Sequence, residues 1–194
     1  MHYNFWEKML RYLKYLVQLL LSPSTGWEDV ASTADFTPAE MFRRGFMPLL
    51  ALTALTEFTG LLYNKGLPID VYIIRAVIDL GAYYVSFFIA RVIFDASMPR
   101  LAPTADAESL RTRSHLLMLL ALGEMLLINI VCNLLQAEIT ILKFLPVYVI
   151  LILYKGAEYI GVKADSVMAF TLVSAGATVA VPLVVSYLLS AILL

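Results

Sequence analysis

Five stretches of this chain each match what the hydrocarbon core of a bilayer asks of a helix, roughly 20 apolar residues rising about 1.5 Å apiece. They cover residues 45–63, 71–94, 115–136, 139–155 and 166–194. Hydrophobic residues make up 61% of the 194 and charged residues 15%. A water-soluble globule of this size exposes too much surface to hide such a fraction. The same composition excludes disorder. The single cysteine, Cys132, excludes a disulfide framework, and a net charge of −1 offers no basic field to nucleic acid. A β-barrel would need many alternating segments of about 10 residues. The sequence therefore predicts an all-α polytopic membrane protein, a bundle of five transmembrane helices.

The loops set its orientation. Lys8, Arg11, Lys14, Arg43 and Arg44 precede the first span. Arg91, Arg100, Arg111 and Arg113 lie around the connection from the second to the third, and Lys155 and Lys163 follow the fourth. The other side carries Lys65, with Lys143 just inside the fourth span. The positive-inside rule then puts the N-terminus in the cytoplasm and the C-terminus outside, in what is expected to be a bacterial inner membrane. Asp95 to Ser114 reads as the largest cytoplasmic loop. Only Ala137 and Glu138 separate the third and fourth spans, which predicts a tight hairpin.

Residues 1–44 read as a cytoplasmic, interfacial region ahead of the transmembrane domain, 45–194. Phe5, Trp6, Met9, Leu10, Leu13, Leu16, Val17 and Leu20 recur at helical spacing, while Glu7, Lys8, Arg11, Lys14 and Gln18 take the other face. A basic amphipathic helix of this kind suits the headgroup boundary of an anionic leaflet. A signal peptide is the rival reading, but the charges reach far into the segment and no A-x-A site follows Ser22-Pro23. The residues expected at the membrane surface are Trp6, Lys8, Arg11, Lys14 and Trp27. Ser22 to Gly26 breaks the helix. Thr37-Pro38-Ala39-Glu40 is a capping box with proline at the first helical position, so the first membrane helix is expected to start near Pro38.

Ionisable groups in lipid are costly and normally face the bundle or a wet cavity. At about 100° per residue, Thr53, Thr56, Glu57 and Gly60 form one stripe, and Arg75, Asp79, Tyr83 and Ser86 another. On the third span His115, Asn129, Asn133 and Gln136 share a face opposite Glu124, so that helix is expected to be central. The candidate buried polar cluster is Glu57, Arg75, Asp79, Glu124, Asn129, Asn133 and Lys143. Arg75 and Asp79 are four apart and can pair, leaving Lys143 or Arg75 for Glu57. Glu124, alone on its face, is expected to be protonated, hydrogen-bonded to an amide or hydrated. Such groups either hold helices together or line a transport path.

No H-E-x-x-H, G-x-S-x-G or P-loop occurs. His2 and His115 are far apart, and Cys132 sits in an apolar span without a histidine nearby in sequence. No catalytic set, cofactor or metal is expected. An intramembrane enzyme would have only Glu124 and His115 in its favour.

Leu19-Leu20-Leu21-Ser22-Pro23 followed by Trp27-Glu28-Asp29-Val30, and Tyr154-Lys155-Gly156-Ala157 running through Gly161-Val162-Lys163-Ala164 into the last helix, resemble the Yip domain family, membrane proteins named for interaction with Ypt/Rab GTPases, in its small bacterial branch. Five spans with a cytoplasmic N-terminus are similar too. The resemblance implies a non-enzymatic integral membrane protein that organises membrane or membrane-protein partners. Its expected partners are the lipid bilayer, anionic lipids included, and a second copy or another membrane protein. The long cytoplasmic N-terminal region through which the family meets GTPases is not expected here, so Rab binding does not carry over. The alternative is a small transporter or channel built on the buried polar residues.

Overall fold

A computed structural model of the chain describes residues 5–33, 36–64, 66–103, 106–135 and 144–194. The described residues form seven helices and no strand. They are α1 (Phe5–Leu21), α2 (Pro23–Thr33), α3 (Pro38–Tyr63), α4 (Ile69–Leu101), α5 (Ala107–Leu135), α6 (Leu145–Ile160) and α7 (Ala164–Leu193).

Helix α3 starts on the predicted capping box. Thr37 Oγ1 accepts from the Glu40 amide at 3.2 Å, and the Glu40 carboxylate accepts from the Thr37 amide at 3.4 Å. Pro48 lies inside the membrane helix α3 and Pro182 inside α7. Each is preceded by a π-helical turn, Phe42–Phe46 and Gly176–Ala180. The wider turn accommodates a ring that would otherwise clash with the carbonyl four residues back.

Four helices, α3, α4, α5 and α7, are long and apolar enough to cross a membrane. This is an all-α membrane-type bundle, with one difference from the five-span expectation. The predicted span 139–155 corresponds to α6, whose 16 described residues give about 24 Å against a core of about 30 Å. Residues 136–143, with the predicted hairpin at Ala137-Glu138, lie outside the described residues. A second correction concerns the loop expected over Asp95–Ser114. Helix α4 continues to Leu101 and α5 begins at Ala107, because Pro99, Arg100 and Leu101 still complete its last turn and the chain leaves the helix only at Ala102-Pro103.

Helix α6 runs back along α5. A Cβ on Gly156 would lie 2.7 Å from Leu117 Cδ1, and one turn on, Arg113 Nη1 donates to the Tyr159 carbonyl at 3.4 Å. Helix α7 then returns beside α4, where Leu189 Cδ1 would meet a Cβ on Gly81 at 3.3 Å. The C-terminus thus lies at the end of the bundle opposite the α4–α5 hairpin. Helix α5 is the central element. Every residue from Ser114 to Leu126 is buried.

The N-terminal helix shares this core rather than standing apart from it. Tyr12, Tyr15, Leu16 and Leu19 of α1, with Trp27 and Val30 of α2, belong to one apolar cluster with Leu117, Leu120 and Ile152. Tyr12 is fully buried and donates to the Leu119 carbonyl at 2.8 Å, and Tyr148 of α6 donates to the Leu20 carbonyl at 2.9 Å. The tyrosine ring lies in a gap that glycine leaves. A Cβ on Gly45 would approach Tyr12 Cγ to 2.5 Å, and one on Gly123 would overlap the hydroxyl.

Candidate functional site

Two groups of polar side chains face the interior from opposite sides of α5. Asn129 and Asn133 are four residues apart and project along one stripe. Asn129 Nδ2 donates to Asp79 Oδ2 of α4 at 3.1 Å, and Asn133 Nδ2 donates to Thr56 Oγ1 of α3 at 3.2 Å. Thr59 Oγ1 lies 2.9 Å from the Asn133 carbonyl and 2.7 Å from that of Thr56. The amides therefore tie three helices together. Asp79 is buried, 9% exposed, and its carboxyl faces that of Glu57, which is half-buried in a tight turn of α3.

The cationic partners expected for these acids are elsewhere. Arg75 is exposed, with its guanidinium 5.9 Å from the centroid of the Tyr72 ring. The predicted Arg75–Asp79 pair does not form. Asp79 turns toward Asn129 and Glu57, while Arg75, one turn nearer the start of α4, lies over the Tyr72 ring. Lys143 lies outside the described residues. The described charged neighbour of Glu57 is another acid.

On the far side of α5, Glu124 is fully buried, and neither of its carboxyl oxygens has a hydrogen-bond partner among the described residues. Tyr12 is the group whose titration it touches. Burial, and then the nearby Glu124 carboxyl, hold the Tyr12 phenol well above its usual range. Glu124 therefore sits beside the seat of α1. Ser86 and Ser174 are further buried hydroxyls without a partner among the described residues.

The residues expected at the membrane surface divide. Trp6 and Lys14 are exposed and Arg11 is half-buried. Lys8 is not at the surface. It is 8% exposed, its Nζ 3.4 Å from the Glu40 carboxylate and 4.8 Å above the Phe36 ring. Glu40 supplies the charge that lets a lysine be buried. Trp27 is also inside, 4% exposed. It donates from Nε1 to the Ile152 carbonyl at 2.9 Å and stacks on Tyr159 with centroids 5.1 Å apart. A buried indole needs an acceptor, and the backbone of α6 supplies it. Burial of Tyr159 in this stack pushes its phenol up to about 12.

The turns of α1 then separate into three sectors at about 100° per residue. Lys8, Tyr12, Tyr15, Leu16 and Leu19 face the bundle. Trp6, Leu10, Val17 and Leu21 form an exposed apolar sector, and Glu7 and Lys14 lie on an exposed polar one.

Sequence reasoning missed one constellation. Asp95 of α4 contacts His115 of α5 at 2.9 Å, Arg111 at 3.5 Å and Arg91 at 3.9 Å. The i, i+4 spacing of Arg91 and Asp95 and of Arg111 and His115 was the available signal, but each pair was divided between a span and the loop expected over Asp95–Ser114. Two cavities open at the same end. One of about 750 Å³ is lined by Trp27, Phe36, Arg113, Lys155 and Tyr159 among others, and one of about 440 Å³ lies between α4 and α5. Neither is lined by Glu57, Asp79, Glu124, Asn129 or Asn133. Among the described residues no group of three or more His, Cys, Asp or Glu side chains is placed to hold a metal ion. Compared with known protein families, curated proteins and solved structures, the chain matches none.

Proposed function

We propose that this chain is a non-enzymatic integral membrane protein of the Yip type, which organises membrane or membrane-protein partners at the cytoplasmic face of a bacterial inner membrane. The observation that carries the reading is the three-sector arrangement of α1. One sector is seated on the bundle by Tyr12, Tyr15, Leu16 and Leu19. A second offers Trp6, Leu10, Val17 and Leu21 outward, and the third is polar. A helix fixed in this way lies in the plane of the membrane boundary, with its apolar sector in lipid and Arg11 and Lys14 at anionic headgroups. In this reading the Asn129–Asp79 and Asn133–Thr56 bonds hold helices together, and a second copy or another membrane protein docks on the lipid-facing helices.

The test uses the full chain in vesicles, with Cys132 replaced by Ala and an environment-sensitive dye on Leu10→Cys. Quenching by a lipid-borne quencher, and not by an aqueous one, is expected. Dominant aqueous quenching would overturn the reading. One observation favours a second reading, a small transporter. Glu57 and Asp79 present two facing carboxyls, a pairing that suits proton or cation passage. A flux across proteoliposomes that Asp79→Asn abolishes would favour it over the first.

A further inference from the structure

The charged cluster on the α4–α5 hairpin serves neither reading above, and it sits at a defined depth. The exposed large apolar residues of α4 run from Ile69 to Val92, about 35 Å of helix, close to the roughly 30 Å of a hydrocarbon core. Arg91 and Asp95 stand where that band stops, and Arg111 and His115 face them from α5. Asp95 Oδ1 lies 2.9 Å from His115 Nε2 and 3.5 Å from Arg111 Nε, and Oδ2 lies 3.9 Å from Arg91 Nε. Both arginine contacts are longer than the roughly 2.7–2.9 Å of a tight charge-assisted bond. The buried histidine takes the short contact. Two guanidinium groups, 45% and 62% exposed at their side chains, therefore share one carboxylate that neutralises neither fully. Beside them opens the cleft of about 440 Å³, walled by Phe94, Met98, Ala107 and Leu110 together with Asp95 and Arg111.

We propose that this cleft binds the phosphate-ester headgroup of an acidic phospholipid from the adjoining leaflet. The fork of Arg111, which lines the cleft, suits phosphate oxygens engaged in pairs, and Arg91 adds positive charge from the other side of Asp95. The surplus positive charge favours a lipid that carries net negative charge over a zwitterionic one. The apolar walls receive the glycerol and the first acyl carbons, and the end of the apolar band sets the site at headgroup level. A soluble phosphate ester would satisfy the arginines but leave those walls uncovered. The inference requires that α4 and α5 span the membrane and is independent of whether the protein organises partners or transports.

The experiment uses the full-length protein in a non-ionic detergent. Its thermal unfolding midpoint is followed while short-chain phosphatidylglycerol, short-chain phosphatidylcholine or inorganic phosphate is added. A saturable rise with phosphatidylglycerol alone is expected. Arg91→Gln combined with Arg111→Gln should weaken that binding about 25-fold, a factor of about 5 for each basic residue at an acidic surface. Arg91→Lys with Arg111→Lys keeps the charge but loses the paired contacts, so it should bind more weakly than the parent and more tightly than the Gln pair. Ala107→Trp leaves the arginines intact but obstructs the cleft from an exposed position, and it should block binding even if the Gln pair fails to fold. An equal response to phosphatidylcholine would overturn the proposal. So would an equal response to inorganic phosphate, which would mark a soluble-ligand site. Undiminished binding by the Gln pair or by Ala107→Trp would leave the arginines as a clamp between helices and nothing more.

Discussion

Replacing Glu124 by Met should make the protein more stable. Both carboxyl oxygens are buried, without a hydrogen-bond partner among the described residues, at an enclosed position of the central helix. A buried polar group left unsatisfied costs about 1–3 kcal/mol. Methionine is similar in length, unbranched and adaptable to an irregular gap, so it removes the polar atoms and opens little cavity. The expected gain is therefore about 1–3 kcal/mol. For a chain of this size that corresponds to about 2–12 °C in the unfolding midpoint. Glu124→Gln keeps polar atoms at the same place, and its midpoint should stay within about 2 °C of the parent. The assay is thermal unfolding of the full chain in detergent, followed by far-UV circular dichroism. A midpoint lowered by about 4 °C or more in Glu124→Met, with Glu124→Gln unchanged, would refute the reasoning, because it would mean that water or a cation satisfies the carboxyl in the folded protein. A gain in stability combined with a loss of flux in proteoliposomes would instead mark Glu124 as a functional group kept at a cost in stability.

Gly123→Ala should unseat α1, since the added methyl overlaps the Tyr12 hydroxyl. Overpacking of this kind costs about 1–3 kcal/mol, and faster amide hydrogen exchange across residues 5–21, with α5 unchanged, is the expected sign. Asn129→Leu should destabilise the bundle by about 1.5–3 kcal/mol by leaving Asp79 without its amide donor. Exposed Arg75→Gln should stay within about 0.5 kcal/mol, and denaturant unfolding in mixed micelles compares the two; equal losses would contradict the geometry. A reporter fused after Leu194 should be active only if it functions outside the cytoplasm, as the loop charges dictate, and cytoplasmic activity would overturn the orientation.

Periodicity and composition were enough to read the helical membrane class, the start of α3 and the central place of α5. Apolar length, a capping box and a polar stripe are local properties, and the physics that uses them acts over one or two turns of helix. The stripe of His115, Asn129 and Asn133 was legible for that reason, because all three lie on the face of α5 that meets α3 and α4.

What each polar group pairs with was not legible. Arg75 and Asp79 satisfy the spacing rule for a pair, yet Asp79 turns inward to Asn129 while Arg75 extends outward. Lys8 lies on the polar face of α1 in a helical projection, but Glu40, 32 residues on, draws it into the core. Trp27 looked like an anchor in the headgroups until α6 offered a backbone carbonyl, 125 residues away, to its indole. The hairpin cluster depends on α4 and α5 continuing as helices through a stretch whose prolines and charges read as a loop. The amino-acid sequence alone therefore determined which segments are helical and apolar enough to leave water, because hydrophobic transfer and helix propensity are summed residue by residue. The tertiary structure alone decided which charge meets which carboxylate and which face of α1 is covered, because a buried charge is stabilised only by a partner that the packing of distant helices brings within reach.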